Sequence, residues 1–416
     1  MPQPADTQQQ RLQAKAPPMP EFIAIIASMM AMTALSIDIM LPALPQIGRA
    51  FGLEEPNARQ LVVTMYVLGF AFGQVVYGPL SDALGRKPVL FAGLAVFALA
   101  SLGTMTAGDY TTLLAARALQ GFGGGAPRVI AVAIVRDLHG GRRMARIMSF
   151  AMMVFIIIPI IAPGVGELLT LVGHWTWVFG FLFVMSLLIM AVAMLRLPET
   201  RPPSARAPLT PAWLGGALRE TLSSRLTVGY TVATGFIFGC LMSYVNTAQQ
   251  IFVGIFGLGQ LFPLAFGGIA VALAFAAMAN ARLVERVGMR RLSHAALAGF
   301  VLVAVTHLGL TLALGHELPL LAYCAMLAAN IFCFGFIMPN FNAIAMEPLH
   351  RVAGTASSFI GFFTTAVGAV MGWIVGQQFA GTVVPLLAGY AGLSALALAA
   401  VFVTERGRLF EVGGPS

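Results

Sequence analysis

Four residues pair a chemically able side chain with an apolar setting: Asp38, Arg117, Gln120 and Glu167. Asp38 is the only ionisable group in the run 22–46, inside Ser36-Ile-Asp38-Ile-Met-Leu-Pro42-Ala-Leu-Pro45. Charge within a membrane is costly, so an intramembrane carboxyl marks function by default. Such a group can gain and lose a proton, which a proton carrier requires. Pro42 and Pro45 bend or end the helix just beyond it, freeing carbonyls that need a cavity or a partner. Arg117 opens Arg117-Ala-Leu-Gln120-Gly121, and these three named side chains share one helix face. Arg117 falls near the depth of Asp38. It can pair with that carboxyl or bond the loosened backbone beside it. Glu167 follows Pro163-Gly164-Val-Gly166 near the outer end of the fifth run, where it either serves transport or reaches the interface. Arg128 lies eleven residues after Arg117 on the same face, nearer the inside, where a snorkelling arginine would also fit. His307 and Asn330 are lone polar groups on apolar runs and are expected to form interhelical hydrogen bonds.

The elements that must hold these residues are membrane helices. The 416 residues are 58% hydrophobic and 10% charged, with a mean hydropathy of +0.86. A water-soluble domain carries roughly 25% charged residues. Twelve runs are long and apolar enough to span a bilayer: 22–46, 57–80, 88–108, 111–136, 145–171, 175–197, 226–252, 259–284, 293–314, 318–346, 352–379 and 382–404. The fold class is therefore all-α and integral to the membrane. The polar stretch 198–225, opening Pro198-Glu199-Thr200-Arg201-Pro202-Pro203, reads as a linker between a bundle at 21–197 and another at 226–405. Residues 1–20 and 406–416 read as polar tails.

Basic residues give the orientation. With the N-terminus inside, all but four of the 24 Lys and Arg fall in inner segments. The exceptions are Arg49 and Arg59 outside and Arg117 and Arg128 within helices. Both termini are thus expected to be cytoplasmic. The net charge of +8 is a topology signal whose partner is anionic inner-leaflet lipid, with no nucleic acid implied.

The charged break Gly78-Pro-Leu-Ser-Asp82-Ala-Leu-Gly85-Arg86-Lys87 reads as a tight turn between the second and third helices. A degraded copy, Ala281-Arg-Leu-Val-Glu285-Arg286-Val-Gly288-Met289-Arg290, recurs half a chain later and aligns Gly85 with Gly288. A turn repeated at half-length implies two similar bundles in tandem. Asp82 is expected to bond Arg86 or a nearby arginine, and the N-terminal end of a helix in the second half. Gly69/Gly73 and Gly368/Gly372/Gly376 form small-residue faces, expected at contacts between the bundles. Cys240, Cys324 and Cys333 read as packing residues. No Walker sequence and no spaced metal-ligand set is present, so the chain reads as no enzyme, with no cofactor other than the proton gradient.

Taken together, these motifs resemble the major facilitator superfamily. Gly78 to Lys87 matches its loop signature between helices 2 and 3. Arg117-Ala-Leu-Gln120-Gly121 resembles the helix-4 signature of proton-driven drug exporters, and Ala162-Pro163-Gly164-Val-Gly166 the helix-5 antiporter signature. Leu35 to Pro45, with Ile134-Val-Arg136-Asp137-Leu138, is similar to the Bcr/CflA drug-resistance type and to the MdfA multidrug antiporters. The resemblance implies a monomeric drug:proton antiporter of the bacterial inner membrane, taking a small-molecule drug substrate and protons into a cavity between two six-helix bundles. Asp38, Arg117, Gln120 and Glu167 would serve coupling and substrate. Gly78, Asp82, Gly85, Arg86, Lys87, Pro163 and Gly166 would serve conformational gating. A proton-coupled exporter of a sugar, amino acid or polyamine is the alternative on the same fold.

Overall fold

The computed structural model describes residues 16–206, 210–315, 318–349 and 353–410. Of the expected tails at 1–20 and 406–416, residues 1–15, with Arg11 and Lys15, and 411–416 lie outside the described residues, as do 207–209 of the linker and Arg351. Twelve helices among the described residues are long and apolar enough to cross a membrane. In order they are Met19–Ala50, Ala58–Leu84, Arg86–Met105, Tyr110–Leu138, Arg146–Val172, Thr176–Arg196, Arg225–Ile255, Gly259–Val287, Met289–Ala313, Leu320–Met346, Gly354–Gln377 and Val384–Thr404, here spans 1 to 12. The polar stretch after span 6 is not featureless. It carries a helix, Pro211–Ser223, ahead of span 7.

The expected turn between spans 2 and 3 is tighter than a loop. Helix continues to Leu84 and resumes at Arg86, so Gly85 alone turns the chain, at φ +106°. Gly288 does the same between spans 8 and 9, at φ +87°. Only glycine adopts such a conformation without strain, which makes this matched pair the clearest trace of the tandem repeat. These two turns and the linker share one end of the molecule, the basic face.

Within the first half, span 2 packs on span 4, span 3 on spans 4 and 6, and span 1 on spans 4 and 5; in the second half, span 7 packs on spans 10, 11 and 12, and span 10 on spans 8 and 9. The halves meet where span 2 lies along span 11 and span 5 along span 8. The glycine faces do not sit where the sequence placed them. Gly69 and Gly73 press span 2 against the backbone of span 4 at Ala118 and Phe122, and Gly368 and Gly372 meet Phe238 and Met242 of span 7. Both are seams inside a half, where backbone approach gives the tightest dispersion contact. Of that set only Gly376 reaches across the halves, to Gln60.

Candidate functional site

Span 1 stops being helical at Asp38, passes through a short 3₁₀ turn at Leu41–Ala43, and restarts at Leu44. Proline has no N–H to donate, so the carbonyls of the last turn before Pro42 lose helical partners. Arg117 takes up that deficit. Its guanidinium donates to the carbonyl oxygens of Ser36 (3.3 Å) and Val62 (3.0 Å), to the Met40 sulfur (2.8 Å) and to Gln120 Oε1. It also lies over the rings of Tyr66 (4.5 Å) and Phe179 (5.5 Å). Gln120 passes the network on to Ser101 Oγ at 2.7 Å. Of the two arrangements open to Arg117, the structure adopts the backbone bond. Arg117 and Asp38 form no ion pair.

Asp38 is left buried, 5% exposed, with no hydrogen bond or ion pair among the described residues. Across the interface between the halves its electrostatic neighbour is Tyr244 of span 7. The Tyr244 hydroxyl is also buried without a partner, and its ring stacks on Phe266 at 5.2 Å. A carboxyl from one half and a phenol from the other are thus both buried without a hydrogen-bond partner among the described residues. The sequence reading missed Tyr244, because a lone tyrosine in an apolar run carries no spacing signal.

Gly166 explains why span 5 can approach this point. A Cβ there would collide with the Ile39 carbonyl, so span 5 lies directly against the break beside Asp38. Pro163 lies one turn before it within the same helix. Gly164 points the other way, 4.0 Å from Pro263 of span 8 across the halves. Glu167, with Pro42, Pro45, Gln249, Val253 and Phe262, lines a cavity of about 220 Å³ between the halves, toward the face opposite the basic one. That places Glu167 at a cavity lining, which Asp38 does not share.

That opposite face is closed by a clasp of neutral amides. Asn57 Nδ2 donates to the carbonyls of Gln377 (3.1 Å) and Phe379 (2.8 Å); Gln60 Nε2 donates to Gln250 Oε1 (2.7 Å) and the Gly376 carbonyl (3.1 Å); Gln250 Nε2 donates to Asn57 Oδ1 (2.7 Å). Amides can bond each other in several registers without desolvating a charge, which suits a contact that opens and recloses. The sequence shows these residues only as scattered Asn and Gln at helix ends.

On the basic face, Arg86 is the centre of a charged cluster. It bonds Asp82 (2.8 Å), Asp137 (2.8 Å) and Ser81 Oγ (2.7 Å), and Thr200 donates to Asp137. Asp82 therefore finds its arginine, as expected, but no bond from the second half among the described residues. The first turn of span 3 is capped instead by the linker: Glu199 accepts from the N–H groups of Arg86 and Lys87, both at 3.0 Å. A carboxylate is well placed at a helix N-terminus. Lys87 donates to the Met194 carbonyl at 3.0 Å. Gly78 is the member of the motif that touches the other half, because a Cβ there would lie 2.6 Å from Ser358 Oγ of span 11.

The pattern partly repeats in the second half. Arg290 bonds Glu405 (3.2 Å) and Glu347 (3.0 Å), and Tyr230 donates to Glu405 at 2.6 Å. His307 differs from expectation. Neither ring nitrogen has a hydrogen-bond partner, and its contact is the edge of the Tyr323 ring. Asn330 bonds back to Met326 in its own helix rather than to a neighbour.

Comparison with known proteins agrees with this geometry. The family model described as Major Facilitator Superfamily matches residues 25–373. The chain is 30% identical over 397 residues to a bicyclomycin resistance protein homolog of Haemophilus influenzae, covering 92% of this chain and 96% of that one. It is 31% identical over 348 residues to the multidrug resistance protein MdtL of Shewanella oneidensis, covering 82% and 84%. The fold is similar to that of the peptide transporter POT crystallised with sulfate, with a TM-score of 0.74 at 15% identity over 96% of this chain and 97% of that one. A broken first helix, a buried free carboxyl between two packed halves and glycine-turned basic loops in tandem thus sit in a chain that belongs to the Major Facilitator Superfamily of transporters.

Proposed function

We propose that this protein exports amphipathic drugs in exchange for protons by alternating access, in the inner membrane of a bacterium, with the basic face and both termini in the cytoplasm. The observation that carries the reading is Asp38: a buried carboxyl at the interface between the halves, with no cation holding it. A structural carboxylate would be paired, since an ionised group in low dielectric needs a partner. A carrier must instead be able to exchange a proton for a guest. Arg117 shapes the niche by fixing the broken backbone, and leaves the charge of Asp38 free. The names of the two relatives, for bicyclomycin and multidrug resistance, support drugs as the cargo.

In this reading the amide clasp is the outer gate, and it is shut. The Arg86 cluster, tied to the linker by Glu199, is the cytoplasmic gate element. Coupling needs only that proton and drug bind differently to the two states. A drug seated between Asp38 and Tyr244 displaces the proton. Opening to the outside lets Asp38 take up a new proton and release the drug. The test is uphill accumulation of ethidium, chloramphenicol or bicyclomycin in proteoliposomes under an imposed pH gradient. The parent accumulates at least one of them and Asp38→Asn accumulates none, though it inserts and folds. Equal accumulation by the Asn variant makes Asp38 structural and defeats the reading.

A further inference from the structure

The chain beyond span 12 folds back onto the start of span 9 and is held there through one histidine. Span 12 ends at Thr404, and the backbone then turns through Arg406 and Gly407, at φ +53° and +79°. Phe410, at φ +70°, donates its backbone N–H to His294 Nδ1 at 3.1 Å and sets its ring edge-on against the imidazole. Arg291 donates to the Phe410 carbonyl at 3.1 Å, and Leu409 packs against the core. Arg406 and Phe410 are the two non-glycine residues with positive φ among the described residues. Such backbone is strained and persists where its surroundings hold it.

The bonds around His294 fix where its proton sits. A backbone N–H can only donate, so Nδ1 is the acceptor and the neutral ring carries its hydrogen on Nε2. Nε2 lies 2.7 Å from the Tyr230 hydroxyl of span 7 and donates to it. That hydroxyl donates to Glu405 at 2.6 Å. Glu405 is held in turn by Arg290, which also bonds Glu347 just beyond span 10. His294 and Tyr230 are both buried.

A second proton on His294 has one place to go, Nδ1, where it would face the Phe410 N–H donor to donor. The charged groups around the ring do not rescue that contact. Glu405 is already bonded to Arg290 and reaches the ring through the Tyr230 hydroxyl, while Arg290 repels an imidazolium. Arg291 is engaged with the Phe410 carbonyl. Glu285 and Arg286, at the end of span 8, are exposed and form no bond to this cluster among the described residues.

We propose that His294 is a proton-operated latch for the C-terminal segment: neutral, it holds residues 405–410 against span 9, and protonated, it lets them go. Release takes up a proton and docking expels one, so the docked state is favoured at higher pH and is lost as pH falls. With the basic face in the cytoplasm, as proposed above, the signal is cytoplasmic acid, which an exchanger that carries protons inward itself produces.

The test is amide hydrogen exchange at Phe410 in the purified full chain in detergent. It is read by mass spectrometry with electron-transfer fragmentation and divided by the rate in a free peptide of residues 401–416 at the same pH. The parent is protected at about pH 8 and loses on the order of tenfold or more of that protection at about pH 5, as replacing a hydrogen bond by two opposed donors implies. Amides in the middle of span 7 keep theirs. His294→Gln offers an uncharged acceptor to the same N–H, so its protection is equal at both pH values. His294→Lys offers only donors and leaves Phe410 unprotected at both. Parent protection that does not change with pH overturns the latch, and this profile needs neither variant to fold. A pH-dependent loss that persists in His294→Gln, or full protection in His294→Lys, overturns it as well. Exchange at Phe410 does not depend on the cargo, so failure of the latch leaves the transport reading standing, and failure of transport leaves the latch.

Discussion

Gly166→Ala isolates the contact that sets the Asp38 niche. The added Cβ would stand 2.8 Å from the Ile39 carbonyl carbon and 3.3 Å from its Cα, and nearer still to its oxygen. The obstacle is backbone, which cannot swing aside as a side chain can. Spans 1 and 5 must part by on the order of 1 Å, and overpacking of this kind costs about 1–3 kcal/mol. Gly164→Ala is an internal control two residues away, since its Cβ would meet Pro263 at an ordinary 4.0 Å. Both changes gain the same helix propensity, up to about 1 kcal/mol, so their difference reports crowding alone. Equilibrium unfolding in mixed micelles of dodecyl maltoside and SDS should place Gly166→Ala below Gly164→Ala by about 1–3 kcal/mol, a factor of roughly 5 to 150 in the folding constant. Equal stability of the two variants would refute the argument that span 5 rests on the break in span 1.

Three further outcomes follow from other contacts. Arg117→Lys keeps the charge but cannot span Val62, Ser36 and Gln120 together, so it should lose at least about 2 kcal/mol of stability; melting at the parent temperature would contradict this. Gln60→Leu removes two donated bonds from the clasp, each worth about 1 kcal/mol. With the native cysteines replaced, a Val253→Cys reporter should then label with an impermeant maleimide up to roughly thirtyfold faster from outside, and an unchanged rate would mean that the clasp is not a gate. Burial, with Arg143 nearby, holds the His139 imidazole below its ordinary 6.5. As pH falls, the unfolded chain takes that proton first, so the His139 contribution is present above about pH 6.5 and is lost below it. His139→Gln should flatten the fall in melting temperature between pH 7 and 5, and an identical pH slope would exclude the effect.

The membrane architecture was legible because its cause is local. Twenty apolar residues in a row, a charged turn and a recurring glycine each declare themselves without reference to the rest of the chain. Gly85 and Gly288 are the sharpest case, since the same backbone need left the same residue at both positions. Asp38 was legible for a similar reason: a lone carboxyl before two prolines is anomalous wherever it packs. What escaped depends on pairing across long separations. The glycine faces of spans 2 and 11 look like any small-residue seam, and nothing local says whether the partner lies in the same half or the other. The amide clasp joins Asn57 and Gln60 to Gln250 and Gln377 through ordinary residues at ordinary helix ends. Glu199 belongs to a linker by composition, yet it caps span 3, because the cap is completed by folding over more than a hundred residues. The expected bond from Asp82 to the second half failed on similar grounds, since Arg86 lies four residues away across the Gly85 turn and satisfies it first.

The central claim is that Asp38 exchanges a proton for a drug, and proton release on ligand addition tests it most directly. Detergent-solubilised parent protein in weakly buffered solution at fixed pH is mixed with chloramphenicol, bicyclomycin or ethidium while a pH indicator is read. The account predicts protons released in proportion to protein for at least one of the three, and none from Asp38→Asn under the same conditions. Release of the same size from the Asn variant, or no release from the parent with a drug that it demonstrably binds, would contradict it.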